Sequence, residues 1–394
     1  MFSVFYFFYL VHFKLFKNTN ELPNTWDALP TCDIFLKKAF LSALEQSSPA
    51  NIYSNYLCVY KAEKLVGIAV IQRVQMYTDD IFRNTSSNNL KFLGKKLFAK
   101  IVKGNALIIG NLMHTGQHGI FFLSEEISME AYFKQLSQAI HQLKKDIKKQ
   151  YQKKIRIIAF KDFFEEDPIH TNTAFFKKEN LYKVQVQPNM LFSIPKQWTS
   201  TEDYIAAFNK KYRDRYKRAR KKAYLIQTRE LDLESIKKQS KILYTLYENV
   251  SDNAGVNSFK LAPNHFYKLK EYLNEDFKVF GCFLKEELIG FYTLILNDNT
   301  IETYFLGYKQ DLQQEHQLYL NMLYQMTIYG IENNFESIVF ARTAMEIKSS
   351  IGAKPHVMHV YLKHTNNFIG NTFLKLLVKY LNPIRDWQER HPFK

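Results

Sequence analysis

The chain has 394 residues, 46% hydrophobic and 15% aromatic, enough apolar material for two domains or one large one, which excludes a globally disordered protein. Lys and Arg number 54 against 38 Asp and Glu, a net charge of +16, which points to an anionic partner: phosphate, nucleic acid or anionic lipid. Cys32, Cys58 and Cys282 are far apart; they make no metal spacing, argue against a disulfide scaffold and fit a reducing, cytoplasmic compartment.

Met1 to Phe16 is almost wholly apolar and aromatic. It is too short to span a bilayer as a helix and lacks the basic start and small-residue cleavage site of a signal peptide. It reads as a buried strand and helix start, with peripheral contact to the inner membrane as the sharper alternative. Trp26 to Glu45 reads as helix, with Phe35, Phe40, Leu41 and Leu44 apolar. Tyr56–Tyr60 and Leu65–Ile71, joined by Lys61-Ala-Glu-Lys64, read as a hairpin.

Strand follows at Asn105–Gly110. The amphipathic stripe Met129, Tyr132, Phe133, Leu136, Ile140, Leu143, Ile147 then predicts a helix, and Ile155–Phe160 another strand. The same order recurs from Phe277: hairpin to Ile295, strand Thr300–Leu306, a helix with Tyr319, Met322, Leu323, Met326 and Tyr329 on one face, and strand Ser337–Ala341. The first copy carries an extra polar stretch, Tyr77 to Ile101. The repeat predicts an α/β protein with mixed sheets in two similar halves, 1–198 and 199–370, and a tail at 371–394.

At the join, Ser200-Thr-Glu-Asp203 has the spacing of a capping box, and a helix is expected to run from it to about Ala223. Between 209 and 222 stand nine basic residues and one acid, interleaved with Tyr212 and Tyr216. Arg213, Arg215, Arg218 and Lys222 are the candidates for anion contact; a solvated face is the bland alternative.

A second polar concentration follows the strand Ser337–Ala341: Arg342, Thr343, Glu346, Lys348 and Ser349, closed by Gly352 and Pro355. Polar groups at the end of a buried strand are costly unless they pair or meet a ligand. An Arg342–Glu346 ion pair is the structural alternative to a site. No Walker loop, Gly-x-Ser-x-Gly, His-Glu-x-x-His or Cys-x-x-Cys occurs. Gly110-Asn-Leu-Met-His-Thr-Gly-Gln-His-Gly119 reads as a loop that binds substrate or anion rather than metal, with Asn111 and His118 as its candidates.

The paired halves, the basic run at 212–222 and Glu-Ile-Lys-Ser-Ser-Ile-Gly-Ala at 346–353 resemble the tandem acyltransferases of the GNAT superfamily, and among them the FemAB-like, peptidoglycan-biosynthesis branch. Lys348 and Gly352-Ala353 fill the places of that branch's Lys-x-x-(hydrophobic)-Gly-Ala segment. The resemblance implies two GNAT-like domains and transfer of an acyl or aminoacyl group to an amine, with a peptidoglycan or lipid precursor as a possible acceptor. It implies no metal and no tightly bound cofactor. CoA-using members carry a Gln/Arg-x-x-Gly-x-Gly/Ala loop where this chain reads Gly307-Tyr-Lys-Gln-Asp-Leu-Gln-Gln-Glu-His316. Acyl-CoA and aminoacyl-tRNA therefore both stay open as donors, and the second would suit the basic helix.

Amine acylation needs a base, a polarised carbonyl and both reactants held in line. Glu346 is the candidate base and Tyr304 the candidate acid for the leaving group. Arg342, Thr343, Lys348 and Ser349 are the candidate substrate contacts, and a pocket lined by Tyr304, Arg342, Glu346 and Lys348 is expected. The competing class is a non-catalytic GNAT-fold protein whose basic helix docks RNA or anionic lipid.

Overall fold

The computed structural model describes residues 10–76, 103–253, 259–366, 369–381 and 386–394. Residues 1–9 of the apolar N-terminus and the polar stretch Tyr77 to Ile101 lie outside them.

In the first half β1 (Val11–Phe16), β2 (Ile52–Lys61), β3 (Lys64–Met76) and β4 (Gly104–Ile109) are antiparallel neighbours. β5 (Ile120–Phe122) also pairs with β3, and β6 (Ile155–Phe164) runs parallel to β4. Helix α1 (Lys38–Gln46) precedes β2. The helix expected from Trp26 starts only there; Asn24–Trp26 and Ile34–Leu36 are single 3-10 turns, the second ordered by Asp33, whose carboxylate accepts from Phe35 N. α2 (Met129–Tyr151) begins at the Ser128 hydroxyl, which accepts from Ala131 N, and ends at Gln152 with φ +54°, a capped start and a left-handed stop. α3 (Thr173–Lys178) leads into β7 (Tyr182–Ser193).

The second half opens with α4 (Thr201–Ala207) and α5 (Lys210–Lys222). The capping box is present, with Ser200 and Asp203 exchanging bonds. The single helix expected to Ala223 is broken at Phe208: its side chain is wholly buried and Asn209 caps a new helix by accepting from Tyr212 N. Next come β8 (Ile226–Glu230), α6 (Leu233–Lys238), α7 (Ser240–Ser251) and α8 (His265–Leu273). The repeated set is β9 (Phe277–Leu284), β10 (Glu287–Asn297), β11 (Thr300–Tyr308), α9 (Gln313–His316), α10 (Leu318–Glu332) and β12 (Ser337–Val339). α11 (Met345–Ser349), β13 (Lys354–His364) and α12 (Ile369–Leu381) complete the described elements.

All the described strands belong to one mixed sheet, ordered β1-β2-β3-β4-β6-β13-β7-β12-β11-β10-β9-β8, with β5 on β3. The order contains an exchange. β7, the last strand of the first half, pairs with β12, and β13, the last strand of the second, pairs with β6. β7 and β13 pair with each other at the centre.

Three cores follow. One lies under α2 in the first half, with Tyr132, Phe133, Phe160 and Phe163. Another lies under α10 in the second, with Tyr204, Phe208, Met322 and Tyr324. The third joins the halves: Trp26, Phe35, Phe40 and Met113 share one cluster with Leu243, Phe266, Leu269 and Phe291. The sheet thus curls until the halves face each other across shared apolar side chains, and α1 packs on α8.

Neither half holds a complete sheet of its own, so the halves should unfold together. Denaturant titrations of variants keeping only Trp26 or only Trp198 should give coincident midpoints. Two separate transitions would show the halves to be independent.

Candidate active site

The loop at 110–119 is built as a projection from the sheet. Gly110 N donates to Val70 O and Val70 N donates to Gly119 O, so the chain leaves and returns at one residue of β3. The neck closes because both ends are glycine: a Cβ on Gly119 would stand 2.3 Å from Gly110 Cα, and Gly110 has φ +118°. Gln72, wholly buried, holds the loop base, accepting from Leu112 N (2.7 Å) and donating to Asn111 Oδ1 (3.2 Å). Lys161 Nζ donates to His114 O at 2.7 Å.

The loop carries His118 across to the second half. His118 Nδ1 lies 2.9 Å from Asp33 Oδ2, and Nε2 lies 3.8 Å from Glu302 Oε1. Asp33 is fixed by Asn297 of β10, whose Nδ2 donates to Oδ1 at 3.3 Å while its own Oδ1 accepts from Ile34 N at 2.8 Å. An imidazole therefore sits between two carboxylates, one from each half, against the rings of Phe35 and His114. Burial would lower the His118 pKa, but Asp33 and Glu302 outweigh it and hold it above the ordinary value. Burial pushes the Glu302 carboxyl up to about 7, with Asp33 adding and His118 opposing. Among the described residues no hydrogen bond reaches the Glu302 carboxylate. A carboxylate of this kind can take a proton near neutrality.

Glu302 stands where two parallel strands part. β11 and β12 are in register at Thr300–Ser337, Ile301–Ile338 and Glu302–Val339, and the pairing ends there. Beyond it β11 bulges: Tyr304 and Phe305 face the single residue Thr293, whose hydroxyl bonds both Phe305 N and O. β12's continuation stays with β7 through Phe340 N to Met190 O and Met190 N to Ala341 O. The gap that opens is bordered by Glu302 and Tyr304 on one side and Phe340–Arg342 on the other. The Tyr304 hydroxyl lies 3.2 Å from His265 Nε2, and His265 Nδ1 lies 3.1 Å from Ser47 Oγ. Because Ser47 donates to Ala43 O, the histidine gives its proton to Ser47 and accepts from Tyr304. Burial lowers His265 to about 3 and raises the Tyr304 phenol, so both are neutral.

The other sequence candidates separate into two places. Arg342 turns toward the first half and pairs with Asp162, which also lies 2.6 Å from Lys161. Lys348 is buried, held down to about 7 by burial, with Nζ bonded to Arg342 O (2.8 Å) and Ala341 O (3.3 Å). It clamps a segment in which Ala341, Thr343 and Ala344 all have positive φ, and Asp162 opposite does too. Glu346 instead receives Gln388 N and Arg390, and Ser349 receives Arg390 N. These two hold the C-terminal tail, whose Phe393 ring packs where a Cβ on Gly352 would stand (2.4 Å). Thr343 is exposed. Asn111 faces Gln72 and Met113 N. The cations of α5 are mostly exposed; Arg213 donates to Phe208 O and Lys222 to Gln314 O, while neighbouring Arg220 reaches Asn321. The α5 end therefore lies beside the start of α10. A cavity among the described residues opens elsewhere, lined by Gln239, Ile242, Asn249, Glu286 and Lys309. No group of three or more potential ligands is placed to hold a metal among the described residues.

Asp33, Lys161, Asp162, His265 and Glu302 escaped the sequence reading. For Glu302 there was a signal, a lone acid inside the apolar strand Thr300–Leu306, and Lys161-Asp162 similarly closes the run from Ile155. Asp33 carried none.

The Asp162 pairs predict unequal mutant costs. Asp162→Asn leaves Lys161 and Arg342 facing each other without a counter-ion and should cost about 3 kcal/mol or more. Asn tolerates the left-handed backbone there. Arg342→Met leaves Lys161 to neutralise Asp162 and should cost clearly less. Urea unfolding measures both; equal costs would show that Lys161 does not share the charge.

No protein-family model matches the chain, and no curated protein sequence does. Solved structures do. A tandem GNAT protein from the clavulanic acid biosynthesis pathway matches at 7% identity over 90% of this chain and 98% of its own, with a TM-score of 0.50. FemX matches at 10% identity over 86% and 92%, TM-score 0.47. L-PGS from Bacillus licheniformis matches at 9% identity over 86% and 94%, TM-score 0.45. The mixed sheet with its repeated hairpin, strand, helix, strand order has the fold of a tandem GNAT protein.

Proposed function

We propose that the protein is an acyltransferase of the GNAT/FemAB-like kind that moves an acyl or aminoacyl group onto an amine. The observation that carries this reading is Glu302, a buried carboxyl near neutrality at the point where β11 and β12 part. In this reading Glu302, rather than the tail-bound Glu346, takes the proton from the amine. The nitrogen attacks the acyl carbonyl carbon, the C–N bond forms and the bond to the donor's sulfur or ribose oxygen breaks. The leaving group takes its proton from solvent, because the hydroxyl of Tyr304, the sequence candidate for this role, donates to His265 instead. Arg342, at the far border of the gap, supplies positive charge for an anionic part of either substrate.

The donor comes along the α5 side. The start of α10 lacks the glycine-rich turn of CoA users; Gln313–His316 forms a one-turn helix there, with Lys222 and Arg220 beside it. That arrangement supports a polyanionic donor such as aminoacyl-tRNA over acyl-CoA, and the resemblance read from the sequence extends the acceptor to a cell-envelope precursor. The second reading, a non-catalytic protein whose basic helix docks RNA or anionic lipid, draws on the same exposed cations.

Transfer assays with acetyl-CoA and with charged bulk tRNA, against a panel of amines, decide between the two. Glu302→Gln should lower the transfer rate by about 10²–10⁴-fold. The base must be ionised, so kcat/KM should rise with pH through about 7, the value to which burial lifts the carboxyl. That limb should vanish in the variant. A wild-type protein that binds tRNA or vesicles but transfers nothing would establish the second reading.

Exchanging Arg213, Arg215 and Arg218 for Gln should weaken tRNA binding and lower its dependence on log salt by about 3 in slope if each meets a phosphate. An unchanged slope would leave α5 a solvated face.

A further inference from the structure

α12 has two apolar faces. Leu374 and Leu377 are buried against the body, and Leu374 belongs to the core shared by the halves. Ile369, Phe373, Leu376 and Tyr380 stand out in solvent, 74%, 39%, 61% and 53% exposed. Their spacing of four, three and four places them on one stripe of the helix, about a quarter-turn away from the buried face. Elsewhere such side chains occur singly on surfaces and need no explanation; a four-residue stripe on one short helix does.

The surroundings say what covers it. Residues 369–381 contain Lys375 and Lys379, both exposed, and no acid. α12 leaves the sheet just after β13, whose end runs beside the start of β6: Thr365 N donates to Arg156 O at 2.7 Å. Lys153, Lys154 and Arg156 are exposed at that start. The nearby carboxylate, Glu179, is neutralised by Lys363 at 2.7 Å. Two copies of this helix packed stripe to stripe would bring lysines together with no acid between them. An anionic lipid surface satisfies both features at once, with Ile, Phe, Leu and Tyr entering the headgroup boundary and the lysine stems reaching back to phosphates.

We infer that the Ile369–Leu376–Tyr380 face of α12 is a peripheral docking surface for an anionic bilayer. This surface does not rest on the proposed reaction and stands or falls separately from it.

The test is sedimentation of the full-length protein with vesicles of phosphatidylcholine, with and without phosphatidylglycerol. Binding should require phosphatidylglycerol and fall with salt. Phe373→Ser with Leu376→Gln should weaken it about tenfold or more, without moving the melting temperature, since both side chains lie outside the core. Lys375→Gln with Lys379→Gln should weaken binding and flatten its salt dependence. A second arm exchanges Arg213, Arg215 and Arg218 for Gln: binding that survives it keeps the assignment to α12, and binding that disappears only there assigns the lipid contact to α5 and overturns the proposal. Absence of vesicle binding overturns it too, as does a dimer in light scattering that the Phe373→Ser, Leu376→Gln variant dissolves.

Discussion

The antiparallel pair β7–β13 is the constraint on which the structure depends. Each of these strands is the last of one half and completes the sheet of the other. Main-chain hydrogen bonding therefore runs without a break from β1 to β8, and the two halves cannot be set apart without breaking ladders on both sides of the centre. Because sheets twist with one hand, so long a run cannot stay flat, and the halves come to face each other. The shared core is the consequence: Phe35 and Met113 from one half lie in the same cluster as Phe266 and Phe291 from the other. The same curl carries the 110–119 loop to β11, so that a histidine of the first half meets a glutamate of the second. Neither half could assemble the Asp33–His118–Glu302 array alone.

Charge at this centre is kept buried by pairing. Asp162 is shared by Lys161 and Arg342, and His118 by Asp33 and Glu302. Pairs of this kind are weak sources of stability but costly to break singly, so they hold geometry rather than energy. Backbone strain gathers at the same place. Asp162, Ala341, Thr343 and Ala344 all have φ between +48° and +71°, a region disfavoured for side chains larger than glycine. Lys348 offsets part of that cost by satisfying two carbonyls within the strained turn. Among the described residues nine other non-glycine residues also have positive φ, but they stand singly or in a pair at hairpin turns and helix ends; four brought together around one buried ion pair mark a place where shape is held for a purpose.

Much of this was legible in the sequence. Apolar runs joined by short polar turns marked both hairpins, the 129–147 stripe marked α2, and the repeated order of elements led to the tandem GNAT fold. The exchange of β7 and β13 was not legible, because strand pairing partners are set by tertiary contacts and not by local pattern. The break at Phe208 was hidden for a similar reason: Tyr204, Phe208, Tyr212 and Tyr216 keep helical spacing through it, yet Phe208 turns into a core closed by Phe393 from the far end of the chain. At the site, the polar cluster after β12 caught Arg342 and Lys348 but joined them to Glu346, which faces the tail. Residues adjacent in sequence on a short helix point to different sides, whereas Asp33, His118 and Glu302, separated by up to 269 positions (302 minus 33), converge.

The repeat also bears on which half carries the chemistry. Each half has a parallel pair at the matching place, β4 with β6 and β11 with β12. In the first half the register ends at Ile109–Phe160, and the next residue of β6, Lys161, enters the space beyond. Its Nζ donates to His114 O and Gly116 O, and its Cγ lies within 2.9 Å of where a Cβ on Gly110 would be. That position is filled by the chain's own side chain and by the loop it anchors. In the second half the residue after the last matched pair, Phe340, packs into the α10 core instead, and the space is bordered by Glu302 and Tyr304. A lysine tied to carbonyls inside a core is expensive to withdraw, so the first half is poorly suited to take an acyl group there. Its part in our reading is to deliver His118 and Asp33 to a base on the other half.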